Sequence, residues 1–100
     1  MSSPLPTPPV RVTEDDCPGF SRGYRLQHDR VREQWVIQAP ERALLADPIA
    51  VAILQELDGQ TRLGTVIDRL ATRYEAPREQ IATDVLALLS ELTEKRILRL

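Results

Sequence analysis

The sequence predicts an α+β domain in which three short antiparallel strands are followed by three helices, an arrangement of the winged helix-turn-helix kind. Three observations carry this expectation. Apolar and polar residues alternate through Tyr24, Leu26 and His28, which is the period of a half-buried strand. Asp47-Pro48 places an N-cap residue before a proline at the first helical position. Beyond it, Leu63, Val66, Ile67, Leu70 and Tyr74, and then Ile81, Val85, Leu88, Leu89 and Leu92, fall on helical faces. No helix hides such a stripe alone, so the three must pack together and cover one face of the sheet.

Residues 1–19 read as a flexible proline-rich tail, because Pro4, Pro6, Pro8, Pro9 and Pro18 remove backbone donors and fix φ. This stretch has neither the basic start nor the apolar core of a secretory signal, so a cytoplasmic location is expected. The domain proper is expected over residues 20–100. Its first strand centres on Tyr24 to His28. Polar Asp29 to Gln34 turn the chain, and Trp35, Val36 and Ile37 form a second strand rich in β-branched and aromatic residues. Ala39-Pro40-Glu41 breaks that strand. Arg42 to Ala46 then form a third strand, or else Leu44-Leu45 begins the next helix.

The first helix carries Ile49, Ile53, Leu54 and Leu57 as one stripe and stops at Asp58-Gly59. Thr61 is the expected cap of the second helix. The third opens near Pro77, with Lys95 and Arg96 in its last turn, where they complement the helix dipole. Ile97 to Leu100 return as a short apolar end on the core.

Composition narrows the function. At 100 residues, with 42% hydrophobic and 28% charged, the chain builds one small core and has no room for separate catalytic and cofactor domains. Its single cysteine, Cys17, makes no internal disulfide, and the single histidine, His28, makes no multi-histidine metal site. Cys17 stands beside Asp15 and Asp16, which disfavour a thiolate. The apolar runs are too short to span a bilayer. The carboxylate pairs Asp15/Asp16 and Glu91/Glu94 fall in a tail and on a solvent face, not across a cleft. Gly59 and Gly64 are isolated, so there is no phosphate loop. Neither catalytic residues, nor a metal, nor a cofactor is expected.

Two binding functions are left. A winged helix suggests DNA, but a net charge of −2 gives no general pull toward phosphates. Residues 78–96 set Arg78, Lys95 and Arg96 against Glu79, Asp84, Glu91 and Glu94, so the middle of the third helix repels a nucleic acid backbone. Arg62, Arg69 and Arg73 form either a basic stripe or a solvated face balanced by Asp68 and Glu75. The other function is peptide binding by strand addition. A small sheet leaves an edge of unpaired N–H and C=O groups, and a helix beside that edge makes a groove. The third strand and third helix would form it, unless the edge is merely short and solvated.

The runs RGYRLQHD (Arg22 to Asp29), WVIQAPER (Trp35 to Arg42), ILQELDG (Ile53 to Gly59) and DVLALLSEL (Asp84 to Leu92) resemble, in order and spacing, the PqqD family of pyrroloquinoline quinone biosynthesis. The resemblance implies a recognition element that binds the ribosomal precursor peptide PqqA and presents it to the radical S-adenosylmethionine enzyme PqqE. It implies no cofactor in the domain itself. Carried onto this sequence, Arg42, Ala43, Leu44, Leu45 and Ala46 would pair with the peptide backbone, and Ile81, Asp84, Val85 and Leu88 would line the opposite wall. Ile81, Val85 and Leu88 also suit an ordinary core. Asp84, a charge amid apolar residues, either pairs with an arginine or meets the partner. Arg25 and Glu41 match family positions as ion pairs or as a face toward PqqE. The family often has a Thr or Ser cap where Arg62 stands, and Gly64 weakens the same turn by about 0.5–1 kcal/mol relative to alanine. Exposed edge strands can also pair two copies into a homodimer.

Overall fold

The computed structural model describes residues 11–100. In chain order the elements are β1 (Gly19–Phe20), β2 (Arg25–Asp29), β3 (Gln34–Gln38), β4 (Ala43–Leu45), α1 (Pro48–Leu54), α2 (Leu63–Tyr74), α3 (Arg78–Glu94) and β5 (Leu98–Arg99). The α+β class is as expected, and the three expected strands, β2, β3 and β4, precede three helices; β1 and β5 are two further short strands. β2, β3 and β4 form an antiparallel sheet in that spatial order, and β1 pairs antiparallel with β5 in a second, two-stranded sheet.

Register sorts the sheet's faces. Leu26, Ile37 and Leu44 are aligned across the three strands and pack toward the core. His28 lies opposite Trp35, with ring centroids 5.0 Å apart, but remains exposed. The core itself is built by Leu63, Val66, Ile67 and Leu70 of α2 against Val85, Leu89 and Leu92 of α3, with Ile53 and Leu54 of α1 beneath. Ile97 and Leu98 join them, so the apolar chain end packs as expected.

Local chemistry moves three boundaries. Asp47 caps α1 by accepting the Ala50 N–H at 2.8 Å, but α1 ends at Leu54, before Asp58-Gly59. There the ladder tightens to three-residue spacing, Glu56 N–H to Ile53 C=O and Leu57 N–H to Leu54 C=O. Thr61 does not cap α2. Its hydroxyl and N–H donate to Asp58, and Arg62 holds the N-cap position with no side-chain bond to the helix. Lys95 and Arg96 fall just past α3: Arg96 adopts a left-handed φ of 62°, and the Ile97 N–H closes on the Leu92 C=O at 2.9 Å.

The segment before β1 supplies what α2 lacks. The Leu63 and Gly64 N–H groups donate to the carbonyls of Asp16 and Glu14 at 2.8 and 2.9 Å. Glu14 accepts from Arg78 on α3, and Asp15 pairs with Arg62. Residues 14–16 of the expected tail therefore lie against the helices and Gly19 pairs with Arg99 in β5, whereas residues 1–10 fall outside the described residues.

Candidate functional site: an open strand edge beside an apolar recess

β4 is the sheet's outer strand on one side. Its even residues turn their backbone toward β3: the Arg42 C=O accepts from Ala39 N–H at 2.8 Å, and the Ala46 N–H donates to the Trp35 C=O at 3.1 Å. Antiparallel geometry alternates, so the N–H and C=O groups of Ala43 and Leu45 point away from the sheet. Nothing among the described residues pairs with them. Ala43 is exposed, and Leu45 is 73% exposed, far more than a leucine in a finished core.

From Leu45 the chain passes through Ala46 and Asp47 into α1, and here an apolar recess opens. A cavity of about 240 Å³ is lined by Pro48, Ile49, Ala52 and Ile53 of α1, Leu70 and Tyr74 of α2, and Ile81, Asp84 and Val85 of α3. Ile49 and Tyr74 stand at 67% and 55% exposure, so both leave the core stripes to which their spacing assigns them. A second cleft of about 460 Å³, on another side of α1, is lined by Glu33, Trp35, Ala46, Gln55 and Tyr74, among others.

The expected site residues divide accordingly. Ala43 and Leu45 offer free backbone groups, while Leu44 turns its side chain into the core and Arg42 is exposed just before β4. Ala46 lines the second cleft. Ile81, Asp84 and Val85 come together in the first recess, with Val85 also a buried member of the core. Leu88 is half-buried against the core and lies outside both linings. Asp84 has no ion-pair partner among the described residues, and it is the charged group of the first lining. The spacing did not reveal the contribution of α1. Its sequence PIAVAIL has no polar side chain, yet it lies at the surface. Ala50, Val51, Ile53 and Leu54 are buried, so Ile49 and Ala52 form a second apolar face that the core does not use.

The arginines of α2 and α3 are engaged. Arg73 donates to Glu56 at 3.0 Å, and Arg69 lies 3.7 Å from the same carboxylate, where Asp68 and Glu75 were the expected partners. Arg78 bridges Glu14 and Asp68, which raises its pKa further and holds the Glu14 carboxyl below the usual range. Arg25 and Glu41 form no ion pair among the described residues.

The sequence profile of the family described as Coenzyme PQQ synthesis protein D (PqqD) matches residues 34–98. A protein of Gluconobacter oxydans named PqqA binding protein is 54% identical over 90 residues, covering 90% of this chain and 94% of its own length. The solution structure of the PqqD truncation of Methylobacterium extorquens PqqCD, described as a functional and stand-alone recognition element, superposes with a TM-score of 0.79 at 35% identity. It covers 94% of this chain and 100% of that one. The crystal structure of PqqD from Xanthomonas campestris gives a TM-score of 0.57 at 44% identity, covering 89% and 99%. With the matching profile, the relatives and the shared fold in agreement, the chain belongs to the PqqD family.

Proposed function

We propose that this chain is a non-enzymatic recognition element that binds the precursor peptide PqqA as an added strand along β4 and presents it to the radical S-adenosylmethionine enzyme PqqE. The observation that carries this is the open edge at Ala43 and Leu45 running into the recess of Ile49, Tyr74, Ile81 and Asp84. Relatives named PqqA binding protein support the identity of the peptide.

An added strand pairing with those outward groups gains about 0.5–1.5 kcal/mol per hydrogen bond. Each apolar anchor it buries adds roughly 1.5–3 kcal/mol. Ordering the free peptide takes back about 2–5 kcal/mol. The balance suits reversible binding around the micromolar range, as handing on a substrate requires. A ribosomal product is met in the cytoplasm, and among the described residues no helix is long and apolar enough to cross a membrane. The open edge also allows pairing with a second copy of the chain, which the peptide would compete away.

DNA binding is the poorer fit. Arg62, Arg69, Arg73 and Arg78 are held by Asp15, Glu56, Glu14 and Asp68, so the helical face offers phosphates few free cations.

The test is a titration of PqqA into isotope-labelled protein, followed through backbone amides. Saturable shifts at residues 42–46, 49, 74 and 81–85 are expected. Saturable shifts confined to other elements would discard this site, and none at high micromolar peptide would discard the function.

A further inference from the structure

We propose that the β2–β3 hairpin tip is a second docking surface, one that receives an acidic patch with an apolar recess on the enzyme to which the peptide is delivered. This rests on the proposed function for the existence of that enzyme, but the surface is argued separately. Val31 at the tip is 93% exposed, more than any other large apolar side chain described. It stands between Arg30 and Arg32, both exposed. Neither arginine has a carboxylate partner among the described residues, nor does Arg25 at the far end of β2. By contrast, Arg62, Arg69, Arg73 and Arg78 each sit in an ion pair, so Arg30 and Arg32 keep a free positive charge that the helical face does not.

The tip is also shaped in advance. One Asp29 oxygen accepts the N–H groups of Val31 and Arg32 at 3.0 and 3.2 Å, and Glu33 completes the turn with a left-handed φ of 51°. Glu33 lines the cleft toward α1 and one Asp29 oxygen is engaged in the turn, with Arg30, Val31 and Arg32 exposed between them. A rigid apolar point flanked by arginines matches a negative surface with a small recess, because charge steers the encounter and the valine fixes the register.

Position makes the surface useful. The sheet order is β2-β3-β4, so the hairpin's β2 lies on the edge opposite β4. The enzyme can hold the chain by the hairpin while the peptide occupies the other edge.

The test compares wild type with a triple variant, Arg30→Glu, Val31→Ser and Arg32→Glu, measuring affinity for PqqA and for PqqE at low and moderate salt. The expected result is PqqA affinity within about twofold of wild type and PqqE affinity reduced roughly tenfold or more, with wild-type binding to PqqE weakening as salt rises. The milder pair Arg30→Gln and Arg32→Gln, which leaves Val31 and Asp29 in place, should give an intermediate loss. PqqE affinity unchanged in both variants overturns the proposal, as does a wild type that forms no complex with PqqE at any salt. Tip-dependent binding of duplex DNA in preference to PqqE overturns it as well. Loss of PqqA binding by the wild type itself would instead strike the proposed function.

Discussion

Gly19 and Gly59 meet backbone to backbone. A Cβ on Gly19 would stand 3.0 Å from the Gly59 Cα, and the Gly59 N–H donates to the Pro18 C=O at 2.9 Å. Gly19→Ala is therefore expected to cost about 1–3 kcal/mol, read by urea unfolding, since backbone cannot retreat as a flexible side chain can. Gly64 looks like a weakness in a helix when only propensity is considered. In the fold, a Cβ there would lie 3.1 Å from a Glu14 carboxylate oxygen, so the glycine leaves room for the segment that caps α2. Asp58 is a turn-maker whose carboxylate accepts the Thr61 and Gln60 N–H groups, and these bonds hold its pKa below the ordinary value. Because the folded value lies below the unfolded one, its contribution is complete above the usual carboxylate range and lost as pH falls through the lowered value. Asp58→Asn should thus flatten the loss of stability below about pH 4, measured as urea midpoints across acid pH.

Among the elements, α1 and α2 begin in opposite ways. α1 uses the residue its sequence advertises, and Asp47→Ala should cost about 1 kcal/mol in thermal or urea unfolding. α2 begins with an arginine that caps nothing and borrows carbonyls from Glu14 and Asp16, a pairing separated by some fifty residues of chain. No local pattern could indicate it, which is why Thr61 was the natural candidate. Arg78 fastens that segment through Glu14. Arg78→Gln is expected to speed amide exchange at Leu63 and Gly64 while leaving Ile67 and Leu70 protected, a pattern read by hydrogen exchange.

At the scale of the molecule, the open β4 edge stands beside the surface-lying α1 and its apolar recess. The direction in which each β4 residue turns its backbone yields a sharp comparison. Leu45→Pro removes an N–H that faces outward and that β3 does not use, so the fold should persist while PqqA affinity falls roughly three- to tenfold. Leu44→Pro removes an N–H turned toward β3 and should destabilise the sheet itself. Calorimetric unfolding and peptide titration of the two variants separate these outcomes. Ile81→Ala probes the recess: it trims the wall without opening the centre of the core, and should weaken the peptide more than the fold.

The sequence by itself determined the class of fold, the strand turn at Asp29, the start of α1 and the pairing of α2 with α3. These depend on periodicity and on turn and cap residues, which act over a few positions. It also carried Ile81, Asp84 and Val85 to one face of a helix. Tertiary structure alone decided that Ile49 and Tyr74 line a recess instead of the core, because α1 is short and apolar all round and only packing selects the face it buries. It likewise decided that the Arg69 and Arg73 stripe is neutralised by Glu56, and that residues 14 and 16 complete α2. Those outcomes join segments distant along the chain, and their free energy lies in contacts that exist only once the chain has closed on itself.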